Sequence, residues 1–476
     1  MHLDLQLRRF VRRRPYLVVL VSGINTIAIL SLYILYNGRR HSEIVTFSEP
    51  TTTRVFTNFS NALQLSTLDH PNDLWVPLAL SSCVFGMPAY YAPCFARTLP
   101  NVLYPEELLY PDFKLREPHF VNDEHRQTWR DYALSDLAFR DRGALLDGWV
   151  NHKGQAGQNF VFHDVKYQKF FGPDTWAPMA CMSKLIATAP IQPLTDTDRS
   201  MEVFPTLLIA LSPEAYSFQH YLDRVTHIIA QGLHLAAGGT NLYAFTGQPG
   251  QKIVREMWAQ MGFPESHVLH SNLKPVAAET LIFSCRAVLV HPWLSLRTLE
   301  LLGVERMSPS STRNKVVYVS HSDGRTNGGR GVVNEEAVLD AITKLLTARD
   351  KGEELVMFNP DQFADVKELF TWFAANALAV VGPHGGAMFN HRWANRDIFV
   401  LEFIPANRIA VMIWEEASLL SQTYAAIIAE PTAKNETDMV IDVSDVVSLL
   451  SQHLGVVGEE PIQKSYPWSA KELGFR

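Results

Sequence analysis

The sequence predicts an α/β protein with two Rossmann-like domains behind a single N-terminal transmembrane helix. Three observations carry this expectation. From about residue 150, short apolar runs alternate with amphipathic stretches of helical length, the pattern of parallel sheets with helices on both faces. A Ser/Pro/Arg-rich stretch at residues 307–313 divides that rhythm into two units. Residues 16–36 form an uncharged, mostly apolar run, long enough for a helix to cross a bilayer core of roughly 30 Å.

Five arginines precede the apolar run (Arg8, Arg9, Arg12, Arg13 and Arg14) and two follow it (Arg39 and Arg40). The larger positive cluster favours the cytosol, so residues 1–15 read as a cytosolic tail and the long C-terminal part as luminal. A cleaved signal peptide is the competing reading. Against it, the apolar run exceeds the usual length of roughly 7–15 residues, and bulky Tyr33 and Tyr36 stand where small residues belong. Residues 37–75, rich in Ser, Thr and Asn, read as a stem. Two glycosylation sequons, at Asn58 and Asn435, fall on the luminal side. The four cysteines, Cys83, Cys94, Cys181 and Cys285, are luminal too. Their even number allows one or two disulfides, with Cys83–Cys94 closing the shortest loop, or buried free thiols. Their spacing fits no zinc pattern.

The first unit, residues 76–302, has expected strands at 204–211, 242–245, 267–270 and 281–290, with helices at 218–236 and 252–261. Before residue 150 the periodicity is modest and little is specified. The second unit, residues 314–456, is cleaner. Strands are expected at 315–320, 355–358, 378–381, 398–403, 423–429 and 439–443. The helices are one capped by Asn334 and running to about Arg349, one at 362–375 and one at 444–454. Residues 457–476 read as a C-terminal tail. Ligands in such sheets lie beyond the C-terminal strand ends, which in a twin-domain protein places the site in the cleft.

Composition excludes more than it assigns. A net charge of −7 over 476 residues offers no basic face for nucleic acid. There is no G-x-G-x-x-G fingerprint and no G-K-[ST] P-loop, so a dinucleotide oxidoreductase and a P-loop NTPase drop out. A hydrolase working through two carboxylates finds no convincing pair.

The chemistry concentrates in Ala379-Val-Val-Gly-Pro-His-Gly-Gly-Ala-Met-Phe-Asn390 and in the following strand, which carries Glu402. An apolar strand, a glycine turn and a helix start together make an anion site, because unpaired backbone N–H groups face whatever lies above the turn. Gly385 and Gly386 let a diphosphate approach the backbone, His384 adds a donor, and Glu402 is placed to accept from ribose hydroxyls.

This block resembles the signature of glycosyltransferase family 61: a strand, glycines with a histidine, an asparagine, and a strand ending in glutamate. Gly382, His384, Gly385, Asn390 and Glu402 match; Gly386-Ala387 stands where the family more often has Ala-Gly. The resemblance spans roughly residues 200–430 and is strongest from 315 to 403. It implies two Rossmann-like domains in the GT-B arrangement and transfer with inversion from a UDP-sugar (xylose, GlcNAc or arabinose) to a glycan or glycoprotein hydroxyl. It further implies a type II Golgi membrane enzyme and no cofactor.

Other segments take meaning from the same resemblance. His220 and Asp223 share a helix face in Ser217-Phe-Gln-His-Tyr-Leu-Asp-Arg224, where the family carries an aromatic-x-His segment. They are candidate general bases, or else a capping histidine with a surface aspartate. After the strand at 315–320 the family has an arginine, a basic loop and Asn-Glu. Arg330 and Asn334-Glu335 match, while His321 replaces the first arginine; a solvated loop is the plainer reading. Asp196-Thr-Asp198 has the form of a metal-binding D-x-D but precedes its strand, so it is discounted, and no metal is called for. His291-Pro-Trp293 reads equally well as a turn with a packed tryptophan. The alternative to an enzyme is a membrane-anchored, catalytically inactive binding protein on a transferase-like fold.

Overall fold

The computed structural model describes residues 75–83, 90–135, 150–168, 191–198, 200–236, 241–271, 274–304, 313–321, 329–433 and 436–463. The expected tail, membrane run and nearly all of the stem lie outside them, as do Cys181 and both sequon asparagines. No helix among the described residues is long and apolar enough to cross a membrane.

In chain order the strands of the first half are β1 (Leu78–Leu80), β2 (Val102–Leu109), β3 (Phe113–Lys114), β4 (Asn151–His152), β5 (Ala156–Tyr167), β6 (Ile191–Pro193), β7 (Val203–Ile209), β8 (Leu242–Thr246), β9 (Val268–His270) and β10 (Val276–Arg286). Those of the second half are β11 (Lys315–Tyr318), β12 (Glu354–Met357), β13 (Ala377–Pro383), β14 (Phe399–Pro405), β15 (Thr423–Ala429) and the late β16 (Ile462–Gln463). The longer helices are α1 (Asp123–Ser135), α2 (Thr226–Gly232), α3 (Lys252–Gln260), α4 (Pro292–Leu301), α5 (Glu335–Arg349), α6 (Val366–Asn376), α7 (Met412–Leu419) and α8 (Val443–His453).

The second half forms a five-stranded sheet in the order β12-β11-β13-β14-β15, every pair parallel. Strands buried on both faces read as continuous apolar runs, and β13, β14 and β15 are buried along their whole length. Their borders differ from the sequence reading by two residues or fewer. The expected strand at 439–443 is only a pair of isolated bridges from Met439 to Val332 and Pro431.

The first half departs from two parallel sheets. Its eight-stranded sheet runs β1-β2-β5-β10-β7-β8-β9, with β6 beside β5. β7 to β10 are mutually parallel where they pair, and β1, β2, β5 and β6 are antiparallel. The antiparallel part grows from residues before 168, where the sequence carried little periodicity. β10 begins at Val276, five residues ahead of the expected strand, and pairs with β5 and β7.

The sheets draw contacts from both ends of the chain. His119 bridges to Ala425 alongside β15, and α1 packs on that strand. At the other end of the chain, β16 returns to pair with β3, so residues 462–463 are part of a sheet and not of a free tail. Cys83 and Cys94 are disulfide-bonded, with Cα atoms 4.7 Å apart. Arg313, read as linker, is buried and ion-paired to Asp397.

Candidate active site at the strand-order switch

In the order β12-β11-β13 the chain passes from β11 to β12 on one side and then crosses back to β13 on the other, so a crevice opens between the C-terminal ends of β11 and β13. Four of the residues singled out from the sequence meet there. Gly382 takes φ +157°, and a Cβ on it would lie 2.4 Å from the carbonyl oxygen of Val319, so only glycine lets the two strands run this close. Gly385 is extended; what it needs is space, because a Cβ there would sit 2.6 Å from Nε2 of His321. His321 therefore lies over the glycine turn, in the place where the resemblance led us to expect an arginine. Gly386 is open, with Gln219 the nearest neighbour of a notional Cβ at 3.8 Å.

The turn continues into a 3-10 helix, Gly386–Trp393, rather than the expected α-helix. Asn390 explains part of this: its Nδ2 donates to Ala387 O at 2.8 Å, and its Oδ1 accepts from Trp393 Nε1 at 2.9 Å. With both ends engaged and 3% exposure, Asn390 braces the turn. The first bond of the turn runs from Met388 N to Gly385 O, ahead of which the N–H groups of Gly386 and Ala387 are free to meet an anion.

His384 and Glu402 are held together by register. Gly382 pairs with Glu402 across β13 and β14, and His384 N donates to Phe403 O at 2.9 Å. This brings His384 Nδ1 into hydrogen bond with Glu402 Oε1, while the Tyr424 hydroxyl donates to Glu402 Oε2. Burial and the Glu402 charge push the Tyr424 phenol well above its ordinary value, so it stays a donor. The Glu402 carboxylate is fully buried with both oxygens committed. The sequence reading set it beside a ribose; in the structure its carboxylate bonds the His384 ring, which it orients. Nε2 is the ring nitrogen left for a ligand.

Arg330 is half-buried, at φ +70°, on a loop end pinned by Gly331 N to Asp438 Oδ1 at 2.8 Å. Its guanidinium is shifted down, first by burial and then by repulsion from Arg408, against attraction from Glu402. Two arginines thus gather at the C-terminal ends of these strands. Asn334 is tied to the backbone of Ile441, and Glu335 accepts from Ser320 Oγ; both shape the loop.

His220 and Asp223 approach the same place from the first half. The expected long helix at 218–236 is broken: one turn at Phe218–His220, a π-turn at Tyr221–Val225, then α2. π-turns concentrate at functional sites, and the helical turn just ahead of this one, Phe218–His220, packs on the Gly386–Trp393 turn. His220 has a carboxylate on each nitrogen, Glu214 at 2.8 Å from Nε2 and Asp223 at 3.4 Å from Nδ1. The Glu214 side chain is half exposed, so that contact opens to solvent more readily than the other.

Below this lies a charged interior. Arg392, fully buried, is paired with Glu416, whose other oxygen accepts from Ser295 Oγ at 3.2 Å. Burial raises the Glu416 carboxyl, but Arg392, His227 and His391 outweigh it and hold the group ionised. The adjacent Glu415 has no such cation. Burial, then Asp223 and Glu416, push it up to about 8. A carboxyl raised on folding costs stability above its unfolded value near 4.5, increasingly until its folded value is passed. Stability should therefore fall between about pH 5 and pH 8. Allowing for the partial exposure of the side chain, Glu415→Gln is expected to remove on the order of 2 kcal/mol of that loss. Denaturant midpoints of both proteins at pH 5 and pH 8 check it; parallel shifts would refute it.

The remaining sequence candidates lie elsewhere. Asp198 is bonded to Lys166 Nζ at 2.8 Å and to Thr195, which hold its carboxyl down at about 2, and it caps the short turn Asp196–Asp198. No group of three metal-ligating side chains occurs among the described residues. His291 caps α4, accepting from Trp293 N at 3.2 Å, and bonds Pro111 O at 3.1 Å; burial lowers it to about 3. The packed-turn reading holds there. Sequence reasoning missed Gln219, Arg408, Glu415 and Tyr424. Only Gln219, inside the aromatic-x-His segment, carried a local signal.

A glycine turn, a histidine and two arginines thus stand at a strand-order switch, the place where open α/β sheets bind ligands beyond their strand ends. The sequence profile described as Glycosyltransferase 61 matches residues 174–401 and supports assignment of the chain to glycosyltransferase family 61. The match contains His220, Asp223, His321, Arg330 and the glycine turn, and stops one residue before Glu402. A search of curated proteins gave no match. The family makes the chain a glycosyltransferase in general terms, with a sugar donor and a glycan acceptor.

The glycine turn gives a direct check. Gly385→Ala must displace the His321 ring and is expected to weaken nucleotide binding roughly tenfold, while Gly386→Ala meets only Gln219, at ordinary contact distance, and has a smaller effect. Equal affinities in titrations of the two variants would show that His321 yields freely.

Proposed function

We propose that the chain is an inverting glycosyltransferase of GT-B arrangement. It would transfer xylose, GlcNAc or arabinose from a UDP-sugar to a glycan or glycoprotein hydroxyl, as a single-pass type II protein of the Golgi membrane anchored by residues 16–36. The observation that carries this is the buried Glu402 carboxylate under His384, beside the Gly386 and Ala387 amides and near Arg330. With Nδ1 bonded to Glu402, His384 turns Nε2 to a phosphoryl oxygen as a hydrogen-bond donor. Arg330 and Arg408 supply the charge for a departing diphosphate, which lets transfer proceed without a metal ion. The Cys83–Cys94 disulfide supports an oxidising compartment.

In the transfer step, the acceptor oxygen forms a bond to the anomeric carbon as the bond from that carbon to the phosphate oxygen breaks. The diphosphate leaves with the bonding pair, and the hydroxyl proton passes to a base. His220 is placed for that work with Asp223 orienting it; Glu214 must swing away from Nε2 for an acceptor to enter. Developing charge on the diphosphate is the largest electrostatic demand, and a single well-placed donor is worth about 3–4 kcal/mol there.

The test is a panel of nucleotide sugars with the full-length chain, with and without manganese, read by thermal shift and donor hydrolysis. Stabilisation and turnover with one UDP-sugar in the absence of metal is the expected result. No response to any donor would favour the inactive binding protein, and a strict manganese requirement would return attention to Asp196 and Asp198.

A further inference from the structure

Gln219 stands where the two halves of the chain meet over the glycine turn. It belongs to the helical turn Phe218–His220, which packs on the turn Gly386–Trp393. The atoms nearest a notional Cβ on Gly386 are Gln219 Oε1 and Cβ, at 3.8 and 3.9 Å, so the carboxamide lies above the turn with space between them. Gln219 Nε2 is withdrawn from solvent and has no hydrogen-bond partner, and the same is true of Ser217 Oγ two residues earlier. Folded proteins leave few buried polar atoms unpaired, and each one calls for an explanation such as a ligand. The carboxamide that bears this orphan donor lies over Gly386, with Oε1 its nearer end, beside the turn whose amides are the backbone groups best placed to hold an anion.

We propose that Gln219 is a donor-binding residue whose carboxamide N–H bonds a phosphoryl oxygen of the nucleoside diphosphate on the glycine turn. The inference rests on the donor site proposed above and adds a contact to it from the opposite half of the chain. A neutral amide suits the position. His384, Arg330 and Arg408 already bring cationic groups to the strand ends, whereas a carboxamide adds a directional bond without further charge. The diphosphate is then gripped from both halves, and its departure after transfer requires the Gln219 contact to break.

The experiment is a titration of the full-length chain and of Gln219→Ala, Gln219→Met and Gln219→Glu with UDP, with melting midpoints measured in parallel. The alanine and methionine variants are expected to bind UDP roughly tenfold to a hundredfold more weakly, the effect of losing one hydrogen bond to a charged acceptor. The glutamate variant, which sets a carboxylate against phosphate, should bind more weakly still. Methionine, close to glutamine in length, keeps the test sound if alanine loosens the turn. Unchanged affinity in all three variants, with UDP bound by the unsubstituted chain, would overturn this inference and leave the donor site standing. Affinity retained by Gln219→Glu alone would mean that the partner is a hydroxyl, which also overturns the phosphoryl assignment. Failure of the unsubstituted chain to bind UDP would remove the donor site and this inference together.

Discussion

Replacing His384 by alanine is expected to cut donor turnover by roughly a hundredfold to a thousandfold, the cost of removing one donor aimed at developing charge. The loss should appear in kcat more than in KM if Nε2 acts mainly on the departing diphosphate. Truncation at His384 also leaves Glu402 buried with only the Tyr424 hydroxyl bonded to it, and an uncompensated carboxylate is costly. The melting midpoint should therefore fall together with the activity. Pairing the substitution with Glu402→Gln separates the two effects. In the double variant no buried carboxylate is left uncompensated and the amide still bonds the Tyr424 hydroxyl, so stability should recover while turnover stays low. Normal turnover by His384→Ala would eliminate the anion-site reading of the glycine turn.

Glu416→Ala is expected to destabilise the protein by about 3–5 kcal/mol, because it strands a fully buried guanidinium. Arg392 bonds Glu416 through Nη2, while its Nε and Nη1 have no hydrogen-bond partner. Glu416 also reaches Ser295 on α4, so it ties the second half of the chain to the first. The double variant Arg392→Met/Glu416→Leu should recover most of the loss, since apolar replacement of a buried ion pair is often neutral. Denaturant midpoints of the single and double variants decide the matter. A wild-type midpoint for Glu416→Ala would mean that the pair is solvated and not structural.

The second half of the fold was legible because its physics is local. Strands β13, β14 and β15 are covered on both faces, so each is written as an unbroken apolar run. The glycine turn was legible because Gly382 and Gly385 answer steric demands that no other residue meets. The antiparallel part of the first sheet was not legible, because β2 and β5 acquire partners from far along the chain and carry no periodic mark of that pairing. Glu402 shows the same division within the site. Its strand and its place near the glycine turn could be read in sequence. Its role could not, because a carboxylate at a strand end looks alike whether it faces a ribose or a buried imidazole.

By itself, then, the sequence determined the alternation of strands and helices, the glycine turn with its histidine, and the family those residues resemble. Each of these is a short-range pattern in which neighbouring residues carry the whole physical requirement. Only the tertiary structure decided that Tyr424 and Glu402 support His384, that Asn390 braces a 3-10 turn, and that Gln219 and Arg408 join the crevice. Apart from the Asn390 bonds, which span three positions, those contacts link residues from 18 to more than 160 positions apart, and burial and charge at a point in space are set by the packing that brings such residues together.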